Sequence, residues 1–452
     1  MRMMKRLTLL LFGAILTAGT AFSQGQIALY QMQNSLPEAN YLNPAFAPKS
    51  KFIIGLPLIS SSYLSLEAPF AVNDVLSQNG DSLQIDRDGI LNSLNDDNRI
   101  DIGGNASLLF LGYNTKNSFI NISFNSRLSG SFAFPGGVLE TILKGPETGS
   151  DGSKRIELEE FDFRAVAFNE VALSVNRRIN DKLTVGGKVK YLQGIAGINL
   201  EGLNGAITSN IDSINITMDA WALQTAGLEY LSDNPDPGYF LFKNKNIGWA
   251  IDLGGTYKVT DNLKVSASVL DIGSVTWKEN TVSYEFDAVN YTFDGFDFLE
   301  IIKDDGSVDE TILDAELDTL KNFFDPVKDS VGVEYKTPLT GKFYLGGTYT
   351  LLDMHTFGAV FYADVFQSKL SPAFALTYNI ALGRILDAGL SASYRNKTFG
   401  NFGAALSVKA GPVQLYVLAE NFESFFYPSR ARTVGIRGGL VLAFGKASKT
   451  NF

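Results

Sequence analysis

The sequence predicts an all-β protein: a transmembrane antiparallel β-barrel of about 14 strands, with an N-terminal plug segment and long extracellular loops that contain short helices. Three observations predict it, namely an export signal, segments that alternate apolar and polar residues, and short turns between paired segments. In the last such segment the apolar residues Val434, Ile436, Leu440, Leu442 and Phe444 alternate with small or polar ones. A period of two places them on one face of a strand. In a membrane barrel that face meets lipid, and the other face lines the lumen.

Residues 1–23 have the organisation of a cleavable signal peptide. Lys5 and Arg6 precede the apolar run from Leu7 to Ala18, and the Ala-Phe-Ser of residues 21–23 offers small residues at the positions that a signal peptidase reads. We expect cleavage before Gln24. A membrane anchor is the alternative, but the apolar run is too short to span a bilayer. The expected location is the bacterial outer membrane.

Composition narrows the classes of exported protein to which this chain can belong. The 452 residues include no Cys, so neither a disulfide framework nor a lipid-bearing cysteine is expected. The 43 Gly and 33 Phe favour a barrel, in which glycines permit bends and aromatic residues form interfacial girdles. A net charge of −10 argues against nucleic acid as a partner. The predicted divisions are the signal at 1–23, a plug at 24–50, the barrel at 51–445 and a tail at 446–452.

Short turns set the strand number. Six turn signals occur, near residues 114–117, 180–182, 260–262, 353–355, 382–384 and 410–412. Because outer-membrane barrels keep short turns on the periplasmic side, an even number of crossings must separate each turn from the next. The predicted crossings are 52–66, 102–113, 118–134, 161–178, 183–199, 248–259, 263–276, 341–351, 356–367, 371–381, 386–395, 399–409, 413–420 and 433–444. The strand-like segments 205–224 and 281–293 break this parity unless they are extracellular hairpins.

Five long excursions separate the crossings on the other side: 67–101, 135–160, 200–247, 278–340 and 421–432. Within the longest, the residues from Asp309 to Phe324 have the pattern of an amphipathic helix, with leucines on one face and a proline beyond its end. Such a helix either packs on its own loop or docks a partner, and the sequence leaves both readings open.

A segment just after the signal reads Gln31-Met-Gln-Asn-Ser-Leu-Pro-Glu-Ala-Asn-Tyr-Leu-Asn43-Pro44-Ala45-Phe-Ala-Pro48. It resembles the N-terminal box of FadL-like outer-membrane barrels, in which an Asn-Pro-Ala element belongs to a plug folded into the barrel. The Gln-rich stretch is similar to Bacteroidota barrels of the PorV and PorP kind from the type IX secretion system, and to a related uncharacterised family. The segment from Val269 to Lys278 also resembles that uncharacterised family. On physical grounds Pro44 fixes its own φ, and Asn43 can form a turn with its own backbone. A simple surface turn is the alternative.

Charged residues at inward positions are the other candidate site. Strand parity places eight of them in the lumen: Glu170, Lys188, Lys190, Lys264, Arg395, Lys409, Glu420 and Arg437. Because both signs occur, we expect them to pair with each other and with the plug rather than to select one ion sign. The only histidine is His355, and no Gly-x-Ser-x-Gly motif is present. We therefore expect no enzyme, no cofactor, no metal and no catalytic residue.

Two functions remain open at this level. The resemblance to the secretion barrels implies a non-transporting scaffold that binds other envelope or secretion proteins, and this is the interpretation we favour. The resemblance to FadL implies the alternative, passive transport of hydrophobic small molecules across the outer membrane. Outer-membrane lipid is an expected partner under either reading.

Overall fold

In the computed structural model, strands with alternating apolar and polar residues form a closed barrel around a folded N-terminal segment. The structure describes residues 26–79, 82–95, 97–145, 152–210, 212–228, 230, 237–240, 243–293, 322, 325–366, 369–383, 385–395 and 398–447. Its strands are β1 Phe52–Gly55, β2 Ser62–Glu67, β3 Leu76–Asn79, β4 Ser82–Ile85, β5 Asp97–Asn114, β6 Ser118–Pro135, β7 Ser153–Glu157, β8 Asp162–Arg178, β9 Leu183–Glu201, β10 Gly205–Asn210, β11 Ile214–Met218, β12 Trp221–Ala226, β13 Ile247–Lys258, β14 Leu263–Trp277, β15 Thr281–Phe286, β16 Val289–Phe293, β17 Lys328–Val331, β18 Tyr335–Pro338, β19 Gly341–Leu351, β20 His355–Phe366, β21 Lys369–Leu382, β22 Leu386–Arg395, β23 Thr398–Ala410, β24 Val413–Ala419 and β25 Thr433–Phe444.

The barrel has 14 crossings, as the turn parity predicts. Strands β1 and β2 together form the first crossing, and β5, β6, β8, β9, β13, β14 and β19 to β25 follow around the wall, all antiparallel. The last strand pairs with the first crossing, through Phe444 opposite Phe52 and Thr433 opposite Glu67. This pairing closes the sheet. The predicted fold class and strand number are therefore confirmed.

The first crossing is interrupted, which the sequence did not predict. Between β1 and β2, residues 56–61 leave the ladder, and Leu58 has a left-handed φ of 64°. Leu58 and Ile59 are 59% and 53% exposed on the outside. The Ser60 carbonyl instead faces inward and accepts a hydrogen bond from the Tyr416 hydroxyl at 2.9 Å. The wall therefore carries an apolar bulge anchored from within.

The outer surface of the wall is apolar. Leu173, Trp249, Leu376, Leu390 and Leu415 are each more than half exposed. In water such a continuous belt would be unfavourable, whereas lipid is its natural solvent. The alternation of the strands thus places apolar groups outside and polar groups inside, as expected for a membrane-spanning barrel.

Smaller elements lie beyond the long-loop end of the barrel. Strands β7, β10, β11 and β16 form a separate four-stranded sheet, and β3 pairs with β4. The segment 205–224 is thus divided: β10 and β11 lie in the small sheet, whereas β12 pairs with β9 and β15 in the barrel sheet. The helices are α1 Ile27–Gln31, α2 Val72–Val75, α3 Arg87–Ser93, α4 Gly136–Lys144 and α5 Pro237–Phe240, with 3-10 turns at Pro37–Tyr41, Phe422–Phe425 and Pro428–Arg430. Apart from Asn322, the helix predicted from Asp309 to Phe324 lies outside the described residues.

No helix in the described part of the chain is long and apolar enough to cross a membrane.

Candidate functional site

The lumen is occupied by residues 26–48, which we call the plug. It comprises α1, the 3-10 turn Pro37–Tyr41 and the irregular segment that follows. Leu29, Tyr30, Leu36 and Phe46 are at most 3% exposed, although they precede the first wall strand. The Tyr30 ring stacks on that of Tyr344 in the wall at a centroid distance of 5.1 Å. The plug therefore provides the barrel with a packed apolar core.

The motif Asn43-Pro44-Ala45 lies at the plug–wall contact. The Asn43 side-chain oxygen accepts a hydrogen bond from Ala45 N at 2.9 Å, which closes a turn within the motif. The Asn43 side-chain nitrogen donates to the Ala267 carbonyl of β14 at 3.1 Å. One fully buried amide thus shapes the plug backbone and also ties it to the wall.

Wall glycines make room for this motif. A Cβ at Gly186 would lie 2.3 Å from the Pro44 carbonyl carbon, and one at Gly254 would lie 2.1 Å from the Asn43 side-chain oxygen. A Cβ at the adjacent Gly187 would meet only a Leu253 methyl, at 4.0 Å. One member of the pair Gly186-Gly187 therefore faces the plug, and the other faces outward.

Five of the eight charges predicted to face the lumen contact the plug or the segment that follows it. Glu420 accepts from the backbone N–H groups of Ile27 and Ala28 at 3.0 and 3.2 Å. Lys188 donates to the Asn40 carbonyl at 2.9 Å. The remaining three donate from Lys264 to Asn34 at 3.2 Å, from Lys409 to Ser50 at 2.6 Å and from Arg437 to Gln26 at 2.7 Å.

Glu170 and Lys190 belong to a lumen charge cluster, which also contains Arg127, Asp252 and Asp271. Arg127 binds Glu170 at 2.7 Å and Asp271 at 2.8 Å, and Lys190 binds Asp252 and Asp271 at 2.6 Å each. Neither the carboxylates nor Lys190 are more than 5% exposed as side chains. Each buried charge thus has an opposite partner, as a dry interior requires.

Sequence reasoning missed Arg127, Asp252 and Asp271. The inward alternation Asn121, Ser123, Asn125 along β6 could have identified Arg127. Asp271 follows no alternation because β14 bulges there: its φ is 59°, and both Leu270 and Asp271 are buried on the inside.

The eighth predicted charge, Arg395, lies in a second cluster nearer the long loops. It contacts Glu67 at 2.9 Å and Asp364 at 3.4 Å. Arg99 bridges Asp364 and Asp101 at 2.8 and 2.6 Å. This second cluster joins crossings on opposite sides of the barrel closure, so that it braces the wall from within.

Glu38 is the exception among the buried charges. It lies in the 3-10 turn of the plug, is 1% exposed, and neither carboxylate oxygen has a hydrogen-bond partner among the described residues. Burial raises its pKa to about 7, although the Arg437 charge opposes the rise. Glu38 is therefore a proton-binding group of the plug near neutral pH.

Two cavities inside the barrel are small. A cavity beside the lumen charge cluster has a volume of about 50 Å³, and another between Arg127, Phe366 and Leu339 has about 20 Å³. These volumes accommodate one or a few water molecules. Within the described residues, no group of three or more His, Asp or Glu side chains could hold a metal ion.

Solved structures similar to this chain are barrels with low sequence identity to it. The Ralstonia pickettii toluene transporter TbuX is 10% identical, with 95% of each chain covered and a TM-score of 0.40. The Pseudomonas putida toluene transporter TodX is 11% identical, with 93% of this chain and 97% of its own covered and a TM-score of 0.40. A Pseudomonas aeruginosa FadL homologue is 10% identical, with 95% and 98% covered and a TM-score of 0.44.

No curated protein sequence matches the chain. One family model does, over residues 44–420, which span the distance from the plug motif to the end of β24. That range contains Pro44, the wall glycines and both charge clusters. The chain therefore belongs to DUF5723, a family of unknown function.

Proposed function

We propose that this chain is a plugged barrel of the bacterial outer membrane that acts as an envelope scaffold, of the secretion-associated kind that its N-terminal segment resembles. The observation that carries the proposal is the occupied lumen. Plug groups bond to β14, β21, β24 and β25, for example through Asn379 to the Gln31 carbonyl at 3.1 Å and Gln414 to the Ser35 carbonyl at 3.0 Å. A lumen filled in this way supports binding at the two ends of the barrel rather than passage through it.

Single-channel recording in planar bilayers tests the closed state. We expect the mature protein to show no steady conductance and a variant without residues 26–48 to conduct. The controls are heat-modifiable gel mobility for both proteins, which reports a folded barrel. Stable open-channel currents from the intact protein would contradict the scaffold proposal.

A second candidate function is the transport of hydrophobic small molecules. It is favoured by a cavity of about 600 Å³ at the long-loop end, beneath the segment 421–432. Phe422, Phe426 and Tyr427 contribute apolar lining, and Arg395 lies at its floor. Uptake of a hydrophobic dye into proteoliposomes, compared with liposomes that contain the Phe426→Ala variant, tests this candidate. Equal uptake by protein-free liposomes would exclude it.

A further inference from the structure

The short-turn end of the barrel is strongly basic in an acidic protein. In the part of the chain that the structure describes, this end carries ten Lys and Arg residues against four Asp residues, a net charge of +6. Because the whole chain carries −10, the remaining residues carry −16. The cations are Lys49, Lys51, Lys116, Arg177, Arg178, Lys182, Lys258, Lys264, Lys409 and Lys446, and the carboxylates are Asp181, Asp261, Asp353 and Asp387.

Some of these cations surround the opening between plug and wall. We call this site the basic mouth: the cavity lined by Arg178, Lys182, Lys258 and Lys264 of the wall, with Gln33, Asn34 and residues 45–47 of the plug beside them. Asp181 also lines the cavity and is paired with Arg178 at 2.7 Å, and Lys264 contacts Asn34. The cavity has a volume of about 40 Å³ and opens to the periplasmic side, where short turns of such barrels lie.

We propose that an acidic polypeptide segment of a second envelope protein docks across the rim of the basic mouth. The inference rests on the proposed scaffold function and specifies the chemistry of its partner. An excess of cations on one face attracts a partner of opposite charge and steers its approach. Asn34 and Ala47 of the plug are half-buried between the cations and provide amide groups that can bond an extended backbone.

Position favours a polypeptide over lipid as the occupant. Lys264 lies on the inward face of β14 against the plug, and the wall separates it from the surrounding bilayer. Phospholipid head groups can reach the outward Arg177 at the barrel rim but not the inner side of the mouth. The cations that line it come from two separate turns, at 178–182 and 258–264, so a chain that crosses the mouth can contact several at once.

Fluorescence anisotropy with a labelled glutamate-rich peptide tests the proposal. The mature protein would be held in nanodiscs of zwitterionic lipid, and the glutamine version of the same peptide would serve as the neutral probe. Because single exposed ion pairs contribute little, three substitutions are combined in one mouth variant. Two of them, Lys182→Gln and Lys258→Gln, are in the mouth, and the third is Lys49→Gln, whose charge lies near Lys264. The matched control carries Lys278→Gln, Lys328→Gln and Lys336→Gln, three exposed lysines at the long-loop end.

We expect the glutamate peptide to bind and the glutamine peptide not to bind. The mouth variant should weaken binding about tenfold, and the control variant should leave it unchanged. Equal loss in both variants, or equal binding of both peptides, would overturn the proposal. If phosphatidylglycerol nanodiscs weaken binding as much as the mouth substitutions do, the cations serve lipid head groups and the proposal is wrong. If the barrel does not conduct and does not bind the peptide, the docking proposal alone is wrong. If the intact barrel conducts, the scaffold proposal is wrong.

Discussion

At the scale of single residues, the contact between Gly186 and Pro44 gives the sharpest test of the plug. Gly186→Ala would place a methyl group against backbone atoms that cannot rotate away, at a cost of about 1–3 kcal/mol. Gly187→Ala is the control, because its methyl group would lie at an ordinary van der Waals distance from the nearest Leu253 methyl. We expect limited proteolysis to cut the plug faster in Gly186→Ala and at the original rate in Gly187→Ala. Equal resistance of both variants to proteolysis would contradict the close contact between Gly186 and Pro44.

The lumen charge cluster gives a second prediction at this scale. Asp271→Asn keeps the shape of the side chain but removes the charge that faces both Arg127 and Lys190. Leaving buried charges unbalanced should lower the free energy of unfolding by about 3–5 kcal/mol. The exposed pair of Glu285 with Lys328 is the control, and Glu285→Gln should cost under about 1 kcal/mol. Urea unfolding in lipid vesicles measures both, and similar costs would contradict a buried cluster.

Residue parity predicted which charges face inward, but not what they bind. Alternation along β9 is sufficient to place Lys188 and Lys190 in the lumen, because side-chain direction follows from the strand itself. Their partners depend on register between distant strands and on the path of the plug. Lys188 thus binds the Asn40 carbonyl, whereas Lys190, two residues later, binds Asp252 and Asp271. No local pattern distinguishes these outcomes.

Among the elements, the plug is the one for which we predict a contribution to stability that depends on pH. Glu38 has an ordinary pKa of 4.5 when unfolded and about 7 when buried, so the folded protein binds more protons between these values. The contribution of Glu38 to stability is therefore fully present below about pH 4.5 and is lost as pH rises to 7, by roughly 3 kcal/mol. Arg437, Tyr416 and Tyr41 are the titratable groups that face it.

Glu38→Gln removes this contribution. We expect the variant to lose about one proton of linkage between pH 4.5 and 7, measured as the slope of unfolding free energy against pH. Any remaining slope reports other carboxylates. An unchanged slope would show that Glu38 is solvated in the folded protein.

The wall strands give a prediction that depends on depth. Leu390 lies in the middle of β22 and is 56% exposed outward, whereas Ile385 lies beside its short turn and is 65% exposed. Leu390→Arg should cost about 2–4 kcal/mol near mid-membrane, and Ile385→Arg about 0–1 kcal/mol. Folding equilibria in phospholipid vesicles measure the difference. Equal costs would mean that the apolar belt does not lie in the bilayer core.

The bounds of an element could be predicted where residues close to each other in the sequence determine them. The bounds of β19, Gly341–Leu351, are the predicted ones, because alternation along the strand and the turn residues that follow it act together there. The break at residues 56–61 was missed because Leu56, Leu58 and Ile59 are apolar and fit a strand pattern. Pro57, which cannot donate a hydrogen bond to the ladder, is the signal that could have identified it. The bulge is stabilised from inside by Tyr416, a contact over 356 positions in sequence.

For the whole molecule, the distribution of plug contacts predicts cooperative unfolding. Plug groups bond to crossings around the barrel, including Asn121 of β6 to Asn40, Asn176 of β8 to the Phe46 carbonyl and Arg437 of β25 to Gln26. Release of the plug would therefore break hydrogen bonds to many strands at once and would expose its buried apolar side chains to water, which is unfavourable. We expect plug and wall to unfold at one urea concentration. Hydrogen exchange of plug amides and gel mobility of the barrel, followed on the same samples, should give coincident transitions.

The Gly186→Ala substitution should separate the two transitions, with the plug released first. If the unmodified plug is released while the barrel keeps its folded mobility, the plug is an independent gate, and the filled lumen is only one of two states of the protein.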